Sequence, residues 1–430
     1  MKFLEDLAAR RRFGMKPGLE SIRSLCAALG DPQRKFRAIH VAGTNGKGAV
    51  CAILDAALRT ASRIREEGGG KREEGLRIGR YTSPHLVKIN ERFFLDGAPV
   101  DDVTLERIAQ KVENSIVHLH LFSPPTFFES LTAVAFLLYA EAKVDYAILE
   151  CGLGGRLDAT NVCDPALCVI TRIGLDHCDW LGDTVEKIAA EKAGIIKPGV
   201  PVVLGRNEPS VRAVIEARAR EVGAPFHYAP DLADESEIPA DFSLDGSFNR
   251  ENAVTALAAF KVLFGSCRLP SSAIEGFRHV LWPGRFQRVG NFIVDGAHNP
   301  PAARALKGAL ESEGFRRKTL DLICGFCGDK DVGEVLSVLA PFVKRGYAVK
   351  TNNPRSLTAE ETAAKMRTAG IDAVVCPSLP SAIKQSKQSN SQAIICGSLF
   401  LAGEALVELG AYPWGAPRFD KAELLKGEVV

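Results

Sequence analysis

Apolar residues in the first half of the chain come in short runs that alternate with stretches of helical spacing. Residues 36–42 form one run and lead into a glycine-rich turn. After the turn, Val50, Ile53, Leu54, Ala57 and Leu58 repeat at helical spacing. Residues 146–150, 167–173 and 200–204 are further runs of strand length. Buried strands separated by helices predict a parallel sheet covered on both faces. A second alternating series begins near residue 290. Its strands are expected at 292–295, 320–325, 347–350, 373–376 and 393–396, and its helices include 302–310 and 359–367. The expected fold class is α/β: an N-terminal parallel-sheet domain over 1–281 and a smaller, doubly wound Rossmann-like domain over 282–430. The division falls at Leu281-Trp282-Pro283-Gly284. Residues 63–77, charged and glycine-rich, interrupt the pattern and are expected to form a solvated surface loop.

A chain of 430 residues exceeds one ordinary core, which agrees with two domains. With 46% apolar and 25% charged residues the balance is that of a globular protein. A formal net charge of +2 supplies no global field, so neither nucleic acid nor a membrane surface is an expected partner. No apolar run reaches the roughly 18 residues that a spanning helix needs. Acids in Met1-Lys2-Phe3-Leu4-Glu5-Asp6 interrupt what a signal peptide would need as an apolar stretch, so the expected location is the cytoplasm. The eleven cysteines fit that location as reduced, mostly buried side chains; Cys151, Cys168 and Cys396 sit in strand-like runs. Cys324-Gly325-Phe326-Cys327 lacks the second pair a zinc site needs, and strand-end packing is its expected role.

The chemistry starts at Val41-Ala42-Gly43-Thr44-Asn45-Gly46-Lys47-Gly48, where a strand passes into a helix. Such a turn aims backbone N–H groups and the positive helix end at an anion, and glycines let phosphate oxygens approach. Lys47 supplies a point charge for the outer phosphates. Val41 stands where the full phosphate-loop pattern begins with glycine, and Gly48 where that pattern has Ser or Thr. Downstream, Glu150 ends its apolar run, and strand ends in a parallel sheet face the ligand crevice. Asp176-His177 follows the next run at the same edge. Asp183-Thr184-Val185-Glu186 resembles a capping box, and the helix it opens carries Lys192. A carboxylate and an imidazole beside a phosphate loop suit a divalent cation. Lys192 would join them only after reaction with carbon dioxide to a carbamate; a solvent-exposed helix lysine is the alternative.

These segments resemble the folylpolyglutamate synthase/dihydrofolate synthase family of the Mur ligase superfamily, in order and over nearly the whole chain. Besides the phosphate loop, the resemblance rests on Tyr81-Thr82-Ser83-Pro84-His85-Leu86, Asn90-Glu91-Arg92, Glu150-Cys151-Gly152-Leu153-Gly154-Gly155-Arg156-Leu157-Asp158-Ala159-Thr160-Asn161, Asp176-His177-Cys178-Asp179-Trp180-Leu181-Gly182, Glu191-Lys192-Ala193-Gly194 and Asp295-Gly296-Ala297-His298-Asn299-Pro300. It implies a P-loop ATPase domain followed by a glutamate ligase domain. It also implies ATP-dependent addition of L-glutamate to dihydropteroate or a reduced folate through an acyl phosphate. Small molecules would be the only partners, and the chain would act as a monomer. The implied ATP contacts are Gly43, Thr44, Asn45, Gly46, Lys47, Gly48, Asn252, Arg285 and Asp295. Two magnesium ions would be held, one by Ser83 and Glu150, the other by Glu150, His177 and carbamylated Lys192. His298 would stand by the transferred phosphate, sharing catalysis with Lys47 and Lys192. Thr126, Phe128, Asp158 and Ala159 would line the folate side, and Cys178 to Gly182 looks more like the bifunctional members.

Three departures stand against the family pattern: Ala49 where Ser or Thr is usual, Asn249 where Gln is usual, and the insertion at 63–77. A Mur-type ligase for another acid, an ATP-binding regulator and an NAD oxidoreductase are the competing readings. The last lacks its G-x-G-x-x-G, because a lysine follows Gly46.

Overall fold

The computed structural model describes residues 18–61, 76–119, 124–265, 271–328 and 331–415. Nearly all of the charged insertion expected at 63–77 lies outside the described residues. The first sheet has eight strands: β1 Arg37–Ala42, β2 Ile78–Tyr81, β3 Phe93–Leu95, β4 Ala98–Pro99, β5 Tyr146–Glu150, β6 Pro165–Ile170, β7 Val202–Leu204 and β8 Phe226–Tyr228. Their order is β4-β3-β2-β5-β1-β6-β7-β8. The second sheet has six: β9 Gln287–Val289, β10 Phe292–Val294, β11 Leu320–Cys324, β12 Val343–Ala348, β13 Ala373–Val375 and β14 Gln392–Cys396, ordered β13-β12-β11-β14-β10-β9. The α/β expectation with two sheets holds. The expectation of wholly parallel sheets does not, because β3 and β4 on one edge and β9 on the other sheet pair antiparallel.

Side-chain alternation along the strands divides each sheet between two cores. Ile39, Val41, Ile148 and Val169 face one core with the Lys47–Ala61 and Ser247–Phe264 helices. Ala38, Ala147 and Leu149 face the other, beneath the Asp102–His118 and Phe127–Ala142 helices. In the second sheet Ile293, Leu322 and Ile394 take one face, and Phe292, Ile323 and Ile395 the other. The central strands of both sheets are therefore covered on both sides, which explains why β5 and β14 read as nearly continuous apolar runs.

A buried clamp ties the C-terminal segment to the first sheet's edge. The Tyr412 hydroxyl donates to Glu91 Oε1 at 2.6 Å, and the Trp414 ring meets Phe94 edge-on at 5.4 Å between centroids. Glu91 also accepts the N–H groups of Leu86, Val87 and Lys88, so it shapes the loop that carries Ser83. Tyr412→Phe deletes one donor to a buried carboxylate. It should lower unfolding free energy by about 1–3 kcal/mol in denaturant melts; an unchanged midpoint would show the clamp to be idle.

Candidate active site

Between β1 and the Lys47–Ala61 helix the chain leaves space only for glycine. Gly43 has φ +151°, and a Cβ there would lie 1.9 Å from Thr171 Oγ1; Gly46 has φ +87°, and its Cβ would lie 2.2 Å from Asn252 Oδ1. The Thr44 hydroxyl donates to Gly174 O at 3.0 Å and accepts from Gly174 N at 3.1 Å. Thr44 and Asn45 both donate their N–H groups to Arg172 O. The loop is thus stapled to the segment after β6. The first N–H groups of the following helix lack intrahelical acceptors and face the cleft as an anion seat. Lys47 Nζ lies 3.3 Å from Thr44 O and 3.9 Å from Glu150 Oε1. Ala49, where a hydroxyl was expected by family, lines the same cleft.

Glu150 closes β5 and is 4% exposed. Burial pushes its pKa up, against the pull of Lys47 and of the Ser83 N–H, which donates to Oε2 at 3.0 Å. His177 has φ +52° and stands at the head of the short Cys178–Leu181 turn of helix. Its neighbour Asp176 accepts from Asn299 Nδ2 at 2.8 Å, so a residue after β6 is tied to one after β10. Lys192 lies in the last turn of the Val185–Ala193 helix and is 4% exposed, which removes the exposed-lysine alternative. Burial, reinforced by the positive charge of Lys47, lowers its pKa to about 7. The expected capping box is corrected: Thr184 is the cap and its side chain accepts from Lys187 N, so Lys187 rather than Glu186 stands at the third helical position.

On the other wall Arg285 stands over Gly296, where a Cβ would lie 2.4 Å from Arg285 Nη1. Asp295 accepts the N–H groups of Phe286 and Ala297, both at 2.7 Å. His298 Nδ1 lies 2.8 Å from Gly296 O. A carbonyl only accepts, so Nδ1 carries a proton. Asn249, the departure from Gln, is fully buried and donates to Asp245 O at 2.7 Å; Asn252 borders Gly46.

At the far end Thr126 caps the Phe127–Ala142 helix in a true capping box with Glu129. Phe128 lies 6.0 Å from the Tyr81 ring and rests against Gly152, where a Cβ would come within 2.6 Å of it. Asp158 accepts from Leu153 N at 2.8 Å and from Thr160, and Ala159 follows it in the wall.

One cleft of about 1170 Å³ joins these groups. It is lined by Thr44, Asn45, Gly46, Lys47, Gly48, Ser83, Thr126, Phe128, Glu150, Asp158, Ala159, His177, Asn252, Arg285, Asp295 and His298. Gly43 and Lys192 are not on its surface: Gly43 packs on Thr171, and Lys192 is buried behind the wall. Trp282, Arg92 and Arg355 also line it and had no role assigned from sequence. Arg92 sat within a quoted motif; Trp282 presses on Gly48, whose Cβ would lie 2.1 Å from the indole. Among the described residues no group of three His, Cys, Asp or Glu side chains is gathered to hold a metal. The C-x-x-C reading resolves as packing, with Cys324 buried at the end of β11 and its thiol 3.6 Å from Met366 Sδ.

Residues 284–399 match the family described as Mur ligase, glutamate ligase domain. The dihydrofolate synthase/folylpolyglutamate synthase of Bacillus subtilis is 33% identical over 429 residues, covering 92% of this chain and 95% of the relative. Mycobacterium tuberculosis folylpolyglutamate synthase complexed with ADP superposes with a TM-score of 0.83 at 31% identity, covering 95% of this chain and 98% of that one. The bifunctional folylpolyglutamate synthase/dihydrofolate synthase of Yersinia pestis, complexed with AMPPNP and Mn ion, gives 0.77 at 30% identity, covering 92% and 94%. No helix among the described residues is long and apolar enough to cross a membrane. With likeness running almost end to end in both sequence and fold, the chain belongs to the dihydrofolate synthase/folylpolyglutamate synthase family of ATP-dependent ligases.

Proposed function

We propose that the cleft joins L-glutamate to dihydropteroate, to a reduced folate, or to both, with ATP as co-substrate. The observation that carries this reading is the approach of Lys47 Nζ to Glu150 Oε1, 3.9 Å, in a cleft that Arg285, Asp295 and His298 also line. A carboxylate oxygen of the acceptor attacks the γ-phosphorus of ATP, ADP leaves, and an acyl phosphate forms. The glutamate amine then attacks the acyl carbon, phosphate leaves, and the amine proton passes to an acceptor nitrogen, for which His298 Nε2 is the candidate. Lys47 and the helix N-terminus stabilise charge on the phosphates during the first step. Gly43, Thr44, Gly46 and Gly48 shape that seat, while Asn252, Arg285 and Asp295 hold the nucleotide's other end. Thr126, Phe128, Asp158 and Ala159 receive the pterin.

Two magnesium ions would sit at Ser83 with Glu150, and at Glu150, His177 and carbamylated Lys192, neutralising phosphate charge. The low pKa of Lys192, about 7, supports the carbamate: a neutral amine nitrogen attacks carbon dioxide and releases a proton. The domain division near 281/282 is supported by the start of the second sheet at Gln287. The buried thiols of Cys151, Cys168 and Cys396, none in a disulfide, agree with a cytoplasmic enzyme. Purified protein with ATP, magnesium and glutamate should release phosphate only when dihydropteroate or tetrahydrofolate is added, and the product should be one glutamate heavier. No phosphate release with either acceptor would end this reading.

A further inference from the structure

His40 is the only polar side chain among Ala38, Ile39, His40, Val41 and Ala42 of β1, and it is 0% exposed. Burial pushes its pKa down to about 3, so the ring is neutral. Its Nε2 lies 2.8 Å from Thr160 Oγ1 and 3.1 Å from Cys151 Sγ, while its Nδ1 is buried without a partner. The direction of these bonds follows from the far end. Both Asp158 oxygens accept backbone N–H groups, Oδ2 from Leu153 and Oδ1 from Thr160, and the Thr160 hydroxyl donates to Oδ1 as well. The hydroxyl therefore receives from His40, whose Nε2 carries the proton. Nδ1 is then the acceptor left empty. An apolar residue would fill this position without an orphaned nitrogen, so the imidazole is retained at a cost.

The chain of donors leads to the cleft. Asp158 Oδ2 accepts from Leu153 N at 2.8 Å, and Oδ1 accepts from Thr160 N at 3.0 Å. The carboxylate thus pins the Gly152-Leu153 turn from below. Gly152 is the surface on which the Phe128 ring rests, close enough that a Cβ would lie 2.6 Å from it.

We propose that His40 is a positioning residue for the carboxylate substrate: through Thr160 and Asp158 it holds the Gly152-Leu153 turn that seats Phe128. The proposal rests on the folate-ligase reading above. It assigns His40 to the pterin side of the cleft, although its strand runs straight into the phosphate loop. The competing route is through Cys151 to Glu150, and that route would disturb ATP use instead.

Steady-state kinetics of H40L, H40Q and T160V in the full chain separate the two. H40L and T160V should raise KM for dihydropteroate or tetrahydrofolate roughly tenfold, as loss of a buried hydrogen bond allows, with KM for ATP held within about twofold. H40Q keeps an N–H donor on a side chain of similar reach and should recover most of the loss. Histidine nitrogen NMR should find His40 with its proton on Nε2. The proposal is overturned if KM for ATP moves in step, if neither KM moves, if H40Q is no better than H40L, or if the proton sits on Nδ1. Should H40L not fold, T160V and the tautomer still decide. A wild-type enzyme inactive with both acceptors removes the ligase reading and this role with it; an active wild type with an indifferent H40L removes only the role.

Discussion

Lys47→Ala is expected to release phosphate roughly a thousandfold more slowly than wild type, the scale of losing one charged group on a transferring phosphoryl. Two unit charges about 4 Å apart at a partly buried site interact by about 4 kcal/mol, which is about a thousandfold in rate. The helix end that remains supplies about 0.3–2 kcal/mol and cannot replace the lysine. Lys47 is well placed for this effect: its side chain is 16% exposed and its amine is held between Thr44 O and Glu150. The loss should fall mainly on kcat, because the glycine turn and its N–H groups persist without the side chain. A second consequence separates this variant from a simple binding defect. Lys47 is the strongest influence drawing the raised pKa of Glu150 back down, and it also helps depress that of Lys192. Without it both groups should protonate at higher pH, so residual activity should have its acid limb shifted upward. Phosphate release within tenfold of wild type would remove Lys47 from the chemistry.

How far the sequence anticipates this site depends on burial. The run at 146–150 matches β5 to the residue because every side chain in it is buried and both ends are marked. The run at 167–173 overshoots β6, which ends at Ile170. Thr171 and Arg172 have strand-like composition, but their backbone and hydroxyl are engaged by the phosphate loop. The opposite error occurs at β12, which starts at Val343 rather than 347: Lys344 and Arg345 are exposed and hide the strand. The β3–β4 hairpin is too short to leave a period. Most motif residues lie along one cleft, Gly43 and Lys192 excepted; a phosphate loop, a strand-end acid and a glycine turn each have a local signature. Burial of charge has none. Lys192 reads as a surface residue of a helix, and only the tertiary packing makes its amine weakly basic. Trp282 was likewise hidden, because an aromatic before proline reads as linker; its contact with Gly48 crosses more than two hundred residues of chain.

Lys192 carries the other large effect. Lys192→Ala should lower turnover by about a hundredfold or more, the range reached when a metal's ligand set is broken. The variant should regain part of its rate with added formate or acetate. The physical case is that a buried ammonium beside Lys47 would repel a divalent cation, whereas a carbamate would offer it oxygen. With a pKa of about 7 the amine is more than half neutral above pH 7 and can attack carbon dioxide; below it the ammonium dominates and the reaction stops. Activity of the wild type should therefore fall as pH drops through about 7 and be partly sustained by bicarbonate, and isotope-labelled bicarbonate should leave a carbamate carbon signal. The cavity left by alanine has defined walls, because the Lys192 carbonyl is held against Gly155, where a Cβ would lie 2.8 Å away. A short carboxylate can enter that space and present its oxygens where a carbamate would stand. Lys192→Met fills the same space with an uncharged chain and should stay inactive whatever acid is added. A Lys192→Ala enzyme working at full rate would dispose of the carbamate. Equal rescue of the methionine variant would show that the added acid acts elsewhere.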